Sequence, residues 1–115
     1  MKPIKKSLVQ PLLDRFLNLQ VYLHLETTNG AYAVHTQERA MAAGAYIRNA
    51  HIRFERGIIT GDGPYRVGLK MELGWVYAEG LTDFEVDQEG QLLLAGHDPE
   101  GRLAVALELS LNPFK

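Results

Sequence analysis

His24, Glu26 and His35 are the side chains whose types and spacing could do chemistry in this 115-residue chain. Around them Val21, Leu23 and Leu25 alternate with Tyr22, His24 and Glu26, and Tyr32 and Val34 carry the alternation beyond Asn29-Gly30. Alternation with a period of two marks a half-buried strand. Asn-Gly is the preferred pair for a type I′ hairpin, because both central residues need positive φ. A two-residue loop there sets Leu25 opposite Val34 and His24 opposite His35. In this register Val21, Leu23, Leu25, Tyr32 and Val34 share an apolar face, while His24, Glu26 and His35 share the other with Ala31 and Ala33. A slip of one residue would expose half of the apolar set. Directly opposed Cβ atoms lie about 4.5–5.5 Å apart, which leaves the diagonal Glu26 within reach of a shared ligand. Two imidazoles and a carboxylate can hold a divalent metal or form an acid–base site. The same face can also be a solvated surface on which His24 and Glu26 pair loosely, or a contact for a ligand or a second subunit.

Other chemistries find less support. The chain has no cysteine, which excludes disulfides, thiolate zinc sites, iron–sulfur clusters and cysteine nucleophiles. His24-Leu25-Glu26 matches the first half of the zinc-deaminase signature, whose later paired cysteines are missing. Of the two serines, Ser7 reads as a helix cap and Ser110 lies inside a strand pattern, so no nucleophile elbow exists. Gly61-Asp62-Gly63-Pro64 is followed by a strand beginning at Tyr65, where a phosphate loop would need a helix, and it reads as a turn. Arg48, Arg53, Arg56, Arg66 and Lys70 could form a groove with Tyr46, Tyr65 and Trp75 as stacking platforms. Glu55, Glu72 and Glu79 dilute that charge, and a formal net charge of -2 is not the footprint of a dedicated nucleic-acid binder. Trp75 and Tyr77 share a strand face with Glu79, opposite Val76 and Ala78, as packing aromatics commonly do.

The elements that must position these residues follow from periodicity. With 46% hydrophobic and 23% charged residues, the composition is that of one domain, residues 1–115, able to bury a core without staples. Ser7 and Gln10 have capping-box spacing, and Leu8, Val9, Leu12, Leu13, Phe16 and Leu17 then recur at helical intervals. An amphipathic helix over about 7–18 results, although a start at Gln10 with Pro11 as the first helical residue fits equally. Its basic approach, Met1 to Lys6, is cut off from any signal-like apolar run by Gln10, Pro11, Asp14 and Arg15. No stretch reaches the roughly 20 apolar residues of a membrane span, so a cytoplasmic protein without membrane contact is expected.

From residue 20 onward strands dominate. Tyr65, Val67, Leu69 and Met71 alternate, as do Leu103, Val105, Leu107, Leu109 and Leu111. Gly61-Asp62-Gly63-Pro64, Leu73-Gly74, Asp87-Gln88-Glu89-Gly90 and Asp98-Pro99-Glu100-Gly101 separate the strands as turns. The expected fold is all-β: an antiparallel meander of seven to nine strands closing into a small barrel or sandwich, with one N-terminal helix. Its core should include Leu23, Leu25, Val34, Val67, Leu69, Phe84, Val105 and Leu107. Between Tyr46 and Phe54 the apolar residues change parity, which requires a bulge or turn near Asn49-Ala50. Leu92, Leu93 and Leu94 are consecutive, which predicts burial on both faces against the helix or another subunit. Together with sheet edges that need covering, that segment predicts a homodimer.

Val21 to Gly30, Ala45 to Ala50, Gly63 to Lys70, Gly74 to Thr82 and Ala95-Gly96-His97 together resemble the YojF family over nearly the whole chain. Departures lie mainly in the helix and at surface positions such as His51. The resemblance implies a small all-β, barrel-like protein of Gram-positive bacilli, of unknown function. Family genes tend to neighbour the deacetylase of bacillithiol biosynthesis, which implies an accessory role to that enzyme. The family has no assigned catalytic or binding residues to carry over, so His24, Glu26 and His35 rest on hairpin register alone. The expectation is a non-catalytic module without a cofactor. The alternative is a small metal- or ligand-binding barrel using those three residues, with His97 joining them only if the sheet closes favourably.

Overall fold

A computed structural model describes residues 1–28 and 44–115. Two antiparallel sheets pack as a sandwich with one short helix, α1 (Lys6–Asp14). The strands are β1 (Lys2–Pro3), β2 (Val21–Thr27), β3 (Ala45–Ile52), β4 (Phe54–Thr60), β5 (Tyr65–Met71), β6 (Trp75–Leu81), β7 (Asp83–Val86), β8 (Leu92–His97) and β9 (Leu103–Ser110). The larger sheet runs β1-β7-β8-β9-β2-β3 and the smaller one β4-β5-β6. Of the two architectures expected, the sandwich is the one formed; the sheets do not close into a barrel.

Local chemistry explains the turns. Asp87 Oδ1 accepts from the amides of Glu89 and Gln91, each at 2.9 Å, and Asp98 Oδ1 accepts from Glu100 and Arg102 at the same distance. Both carboxylates thus close the same four-residue turn, with Gly90 and Gly101 supplying positive φ at its end. The chain passes from the large sheet to the small one at Arg53 and returns at Thr82.

The helix is shorter than its apolar periodicity suggests. It ends at Asp14, and Phe16 and Leu17 donate to the carbonyls three residues back, those of Leu13 and Asp14. That tighter turn still aims Phe16 into the core beside Val9 and Leu13, which is why the stripe reads on past the helix. The Ser7–Gln10 capping box does not form: Lys5 occupies the cap position and makes no side-chain bond there. Gln10 instead reaches β4, where its Oε1 accepts from the Ile59 amide at 3.1 Å and its Nε2 donates to the Gly57 carbonyl at 2.8 Å. One carboxamide therefore acts as a ladder rung on an otherwise open strand edge.

The parity change between Tyr46 and Phe54 has the predicted cause. Leu23 pairs with Ala50 but His24 pairs with Arg48, leaving Asn49 as the extra residue with φ 61°. Asn tolerates that left-handed backbone better than most residues. The core contains Leu23, Val67, Leu69, Phe84, Val105 and Leu107 as expected, while Leu25 is half-buried against it. Val34 and the Asn29-Gly30 turn lie outside the described residues. Leu92 and Leu94 enter the core, whereas Leu93 stands half-buried on the other face between Glu85 and Glu108. Because β8 lies inside the large sheet, the Leu92–Ala95 segment offers no strand edge to a second subunit.

Candidate functional site

β2 is enclosed by strands on both sides, and this determines the surroundings of His24. Its ladder partners are Arg48 on β3 and Glu108 on β9, while Leu25 pairs with Ile47 and Leu107. The ladder position expected for His35 is thus taken by Arg48; His35 itself lies outside the described residues. Both edges of β2 are filled because long-range pairing with β3 and β9 buries Leu23 in the core, a gain that a local hairpin signal does not include.

His24 is on the face of β2 away from Val21 and Leu23, yet it is only 4% exposed. A roof of aromatic rings covers it: Tyr46 approaches edge-on with centroids 5.2 Å apart, and Phe114 at 6.3 Å. The expectation of a wet face fails here because the C-terminal segment folds back over the sheet. Asn49 holds that segment, accepting from the Phe114 amide at 2.7 Å and donating to the Phe114 carbonyl at 2.9 Å. Arg48 completes the latch, with Nη2 donating to the Lys115 oxygen at 2.7 Å and its guanidinium carbon 4.9 Å from the Phe114 ring centroid.

The polar contacts assign the imidazole's proton. Arg48 Nη1 lies 3.2 Å from His24 Nδ1, and a guanidinium can only donate, so Nδ1 accepts. The proton is then on Nε2, which donates to Glu26 Oε1 at 3.1 Å. Arg48 Nη1 also stands 3.9 Å from Glu108. Both ring nitrogens are therefore occupied, and a metal at Nε2 would have to displace the proton that Glu26 accepts. His24 and Glu26 could contribute two ligands; among the described residues no group of three metal-type side chains converges.

A second histidine site lies elsewhere. His97 Nδ1 donates to Asp83 Oδ2 at 2.8 Å, and the Thr82 hydroxyl donates to the same oxygen at 2.8 Å while accepting from the His97 amide at 3.1 Å. The Thr82 hydroxyl, and after it His97, hold the Asp83 carboxyl below its ordinary range against a partial desolvation that opposes them. A depressed folded-state pKa stabilises the fold above the unfolded value of about 3.9, and that contribution disappears as pH falls through the folded value. Titrating the Asp83 carboxyl by carbon-detected NMR should give a midpoint below about 3.9, moving upward in Thr82→Val. A wild-type midpoint at or above the ordinary value would contradict this arrangement. Asp83 escaped the sequence analysis because it is 14 positions from His97, across a strand pairing that no local motif announces.

A family model described as "Protein of unknown function (DUF1806)" matches residues 3–114. The chain belongs to the DUF1806 family. It is 54% identical over 114 residues to "Uncharacterized protein YojF" of Bacillus subtilis (strain 168), covering 99% of this chain and 98% of the relative. The crystal structure of the Bacillus subtilis YojF protein aligns with TM-score 0.81 and 47% identity, covering 99% of this chain and 96% of that one. The resemblance read from the sequence is thereby shown, and the barrel-like form it implied is corrected to a sandwich.

In this DUF1806 chain the structure brings His24 and Glu26 together and keeps His97 apart from them, on Asp83. Arg48, Glu108 and Phe114 complete the His24 surroundings and were not foreseen there; the parity change at Asn49 was the one sequence signal pointing to that region. The single basic groove divides in two. Arg48 and Tyr46 belong to the large sheet, while Arg56, Arg66, Lys70 and Trp75 belong to the small one. Tyr65 is half-buried against the core. No helix among the described residues is long and apolar enough to cross a membrane.

Proposed function

We propose that this DUF1806 protein is a non-catalytic interaction module that docks through the outer edge of β3, first with a second copy of itself. The observation that carries this reading is β3, an edge strand exposed along most of its length, with Tyr46 65% and Ile47 42% exposed on its two faces. Unpaired edges are normally blunted. The edge of β4 is closed by Gln10, and β1 is only two residues long. Among the described residues nothing pairs with the outer side of β3. Antiparallel addition of a second β3 would satisfy both edges at once in an isologous contact. The engagement of both His24 nitrogens by Arg48 and Glu26 supports a structural role for that cluster.

In this reading the protein works in the cytoplasm, and the dimer assists the deacetylase of bacillithiol synthesis that the family resemblance implies. Sedimentation velocity should show a dimer in the micromolar range and a monomer for Ile47→Lys, whose charge would be buried against the partner strand. A wild-type monomer at high micromolar concentration sinks the dimer. Separate elution of the protein and the purified deacetylase, mixed at high micromolar concentration, would remove the accessory role.

A further inference from the structure

The outward face of the small sheet has a construction of its own. Strand alternation sends Val67, Leu69 and Ala78 into the core and leaves Arg56, Ile58, Arg66, Gly68, Trp75 and Tyr77 on the opposite side. Gly68 is buried although it faces outward, because the edges of two rings lie over it. A Cβ at Gly68 would stand 2.8 Å from Tyr77 Cε1 and 3.4 Å from Trp75 Cε3, so the aromatic pair requires glycine beneath it. The rings of Trp75 and Tyr77 stack with centroids 5.3 Å apart and planes within 7°. The Arg66 guanidinium carbon lies 4.0 Å from the Tyr77 centroid, and its Nε is held by Glu79 at 3.1 Å. This column of guanidinium and two rings is held by mutual stacking and by the Arg66–Glu79 ion pair, which reduces the freedom lost when a ligand rests on it.

Beside the column runs an open trough of about 220 Å³. Tyr77 and Trp75 line it together with Gly68 and Ile58, and Arg56 and Arg66 bring two positive charges to it. The cations on this face differ in what they already bind. Arg66 is engaged by Glu79 and Tyr77, and Lys70 by Glu55. Arg56 has no acidic or aromatic partner among the described residues.

We propose that this trough binds a small ligand made of one ring bearing a phosphate, with the phosphate on Arg56 and the ring against Trp75 and Tyr77. Charge complementarity identifies the anion, since a guanidinium with no acidic partner among the described residues gives a phosphate a bidentate partner. The exposed aromatic column beside it identifies the ring, because ring faces and sugar C–H surfaces both pack on such side chains. The trough's volume of about 220 Å³ lies below the ~300–1,000 Å³ of drug-sized sites, which suits a single ring. The site lies on a different sheet from the β3 edge and does not depend on the docking role proposed above.

Trp75 is the only tryptophan in the chain, so tryptophan emission reports on this trough alone. The folded protein is titrated with phenyl phosphate, with glucose 6-phosphate and with inorganic phosphate. A saturable emission change is expected with at least one of the two ring phosphates, at lower concentration than with inorganic phosphate. Which of them binds distinguishes an aromatic phosphate from a sugar phosphate. Arg56→Glu should weaken binding by ~10-fold or more, as expected for loss of a charge-assisted pair. The neutral Arg56→Gln should weaken it in the same direction. Residue 56 is solvent-facing, and a melting temperature equal to wild type for each variant verifies that the fold is kept. The proposal is overturned if neither ring phosphate changes the emission up to millimolar concentration. It also fails if inorganic phosphate binds as tightly as they do, or if folded Arg56 variants bind like wild type.

Discussion

Leu107→Ala is expected to lower the unfolding free energy by ~2–5 kcal/mol. Leu107 is fully buried on β9, the strand between β8 and β2, where its ladder partners are Leu94 and Leu25. Truncation removes the transfer energy of the lost carbons and leaves a cavity. Collapse of that cavity would require β9 to shift, and the hydrogen-bonded ladders on both of its sides resist such a shift. The same truncation on an edge strand would cost less, because an edge can move inward. Urea denaturation provides the measurement: the midpoint should fall while the slope stays that of wild type. A loss well below ~1 kcal/mol would show that β9 can relax and is not a central strand in energetic terms.

Gly96→Ala should be at least as damaging, for the opposite reason. Gly96 is on β8 where the return from the small sheet brings Gly80 of β6 against it. An added Cβ would fall inside contact distance of the Gly80 carbonyl oxygen and 2.6 Å from Val105 Cγ1. A side chain can turn away, but a carbonyl held in the backbone cannot. Gly80 adds to the constraint, because its own φ of 80° is one that few residues adopt. Overpacking in a well-packed core costs ~1–3 kcal/mol, and a clash with backbone belongs at or above the top of that range. Pairing Gly96→Ala with Val105→Ala separates the two contacts in a double-mutant cycle. The double variant should regain at most the part due to Val105 Cγ1. Full recovery would show that the Gly80 carbonyl yields and that the sheets are not fixed in distance at this point.

The sequence by itself determined the features whose causes are local. Period-two alternation placed β5 and β9. The Asp87 and Asp98 turns were legible because one carboxylate and one glycine suffice to close each of them. The parity change at Asn49-Ala50 disclosed the bulge, since an extra residue on one strand must shift every side chain after it to the other face. The family was legible too, from residues spread along nearly the whole chain.

What lay beyond reach depended on which strands meet. The Asn29-Gly30 signal describes four or five residues and says nothing about β3 and β9, which compete for the two edges of β2 and occupy both. Gln10 read as a helix-capping residue because its spacing from Ser7 is local, whereas its actual partners, Gly57 and Ile59, are nearly fifty positions away. His24 read as a wet residue for the same reason. Its burial comes from Phe114 and Arg48, brought over it by the bulge at Asn49, and its proton is assigned by Arg48 alone. Periodicity encodes which face of a strand is apolar. Only the tertiary structure decides what covers the other face, because that depends on long-range contacts whose energy no local window contains.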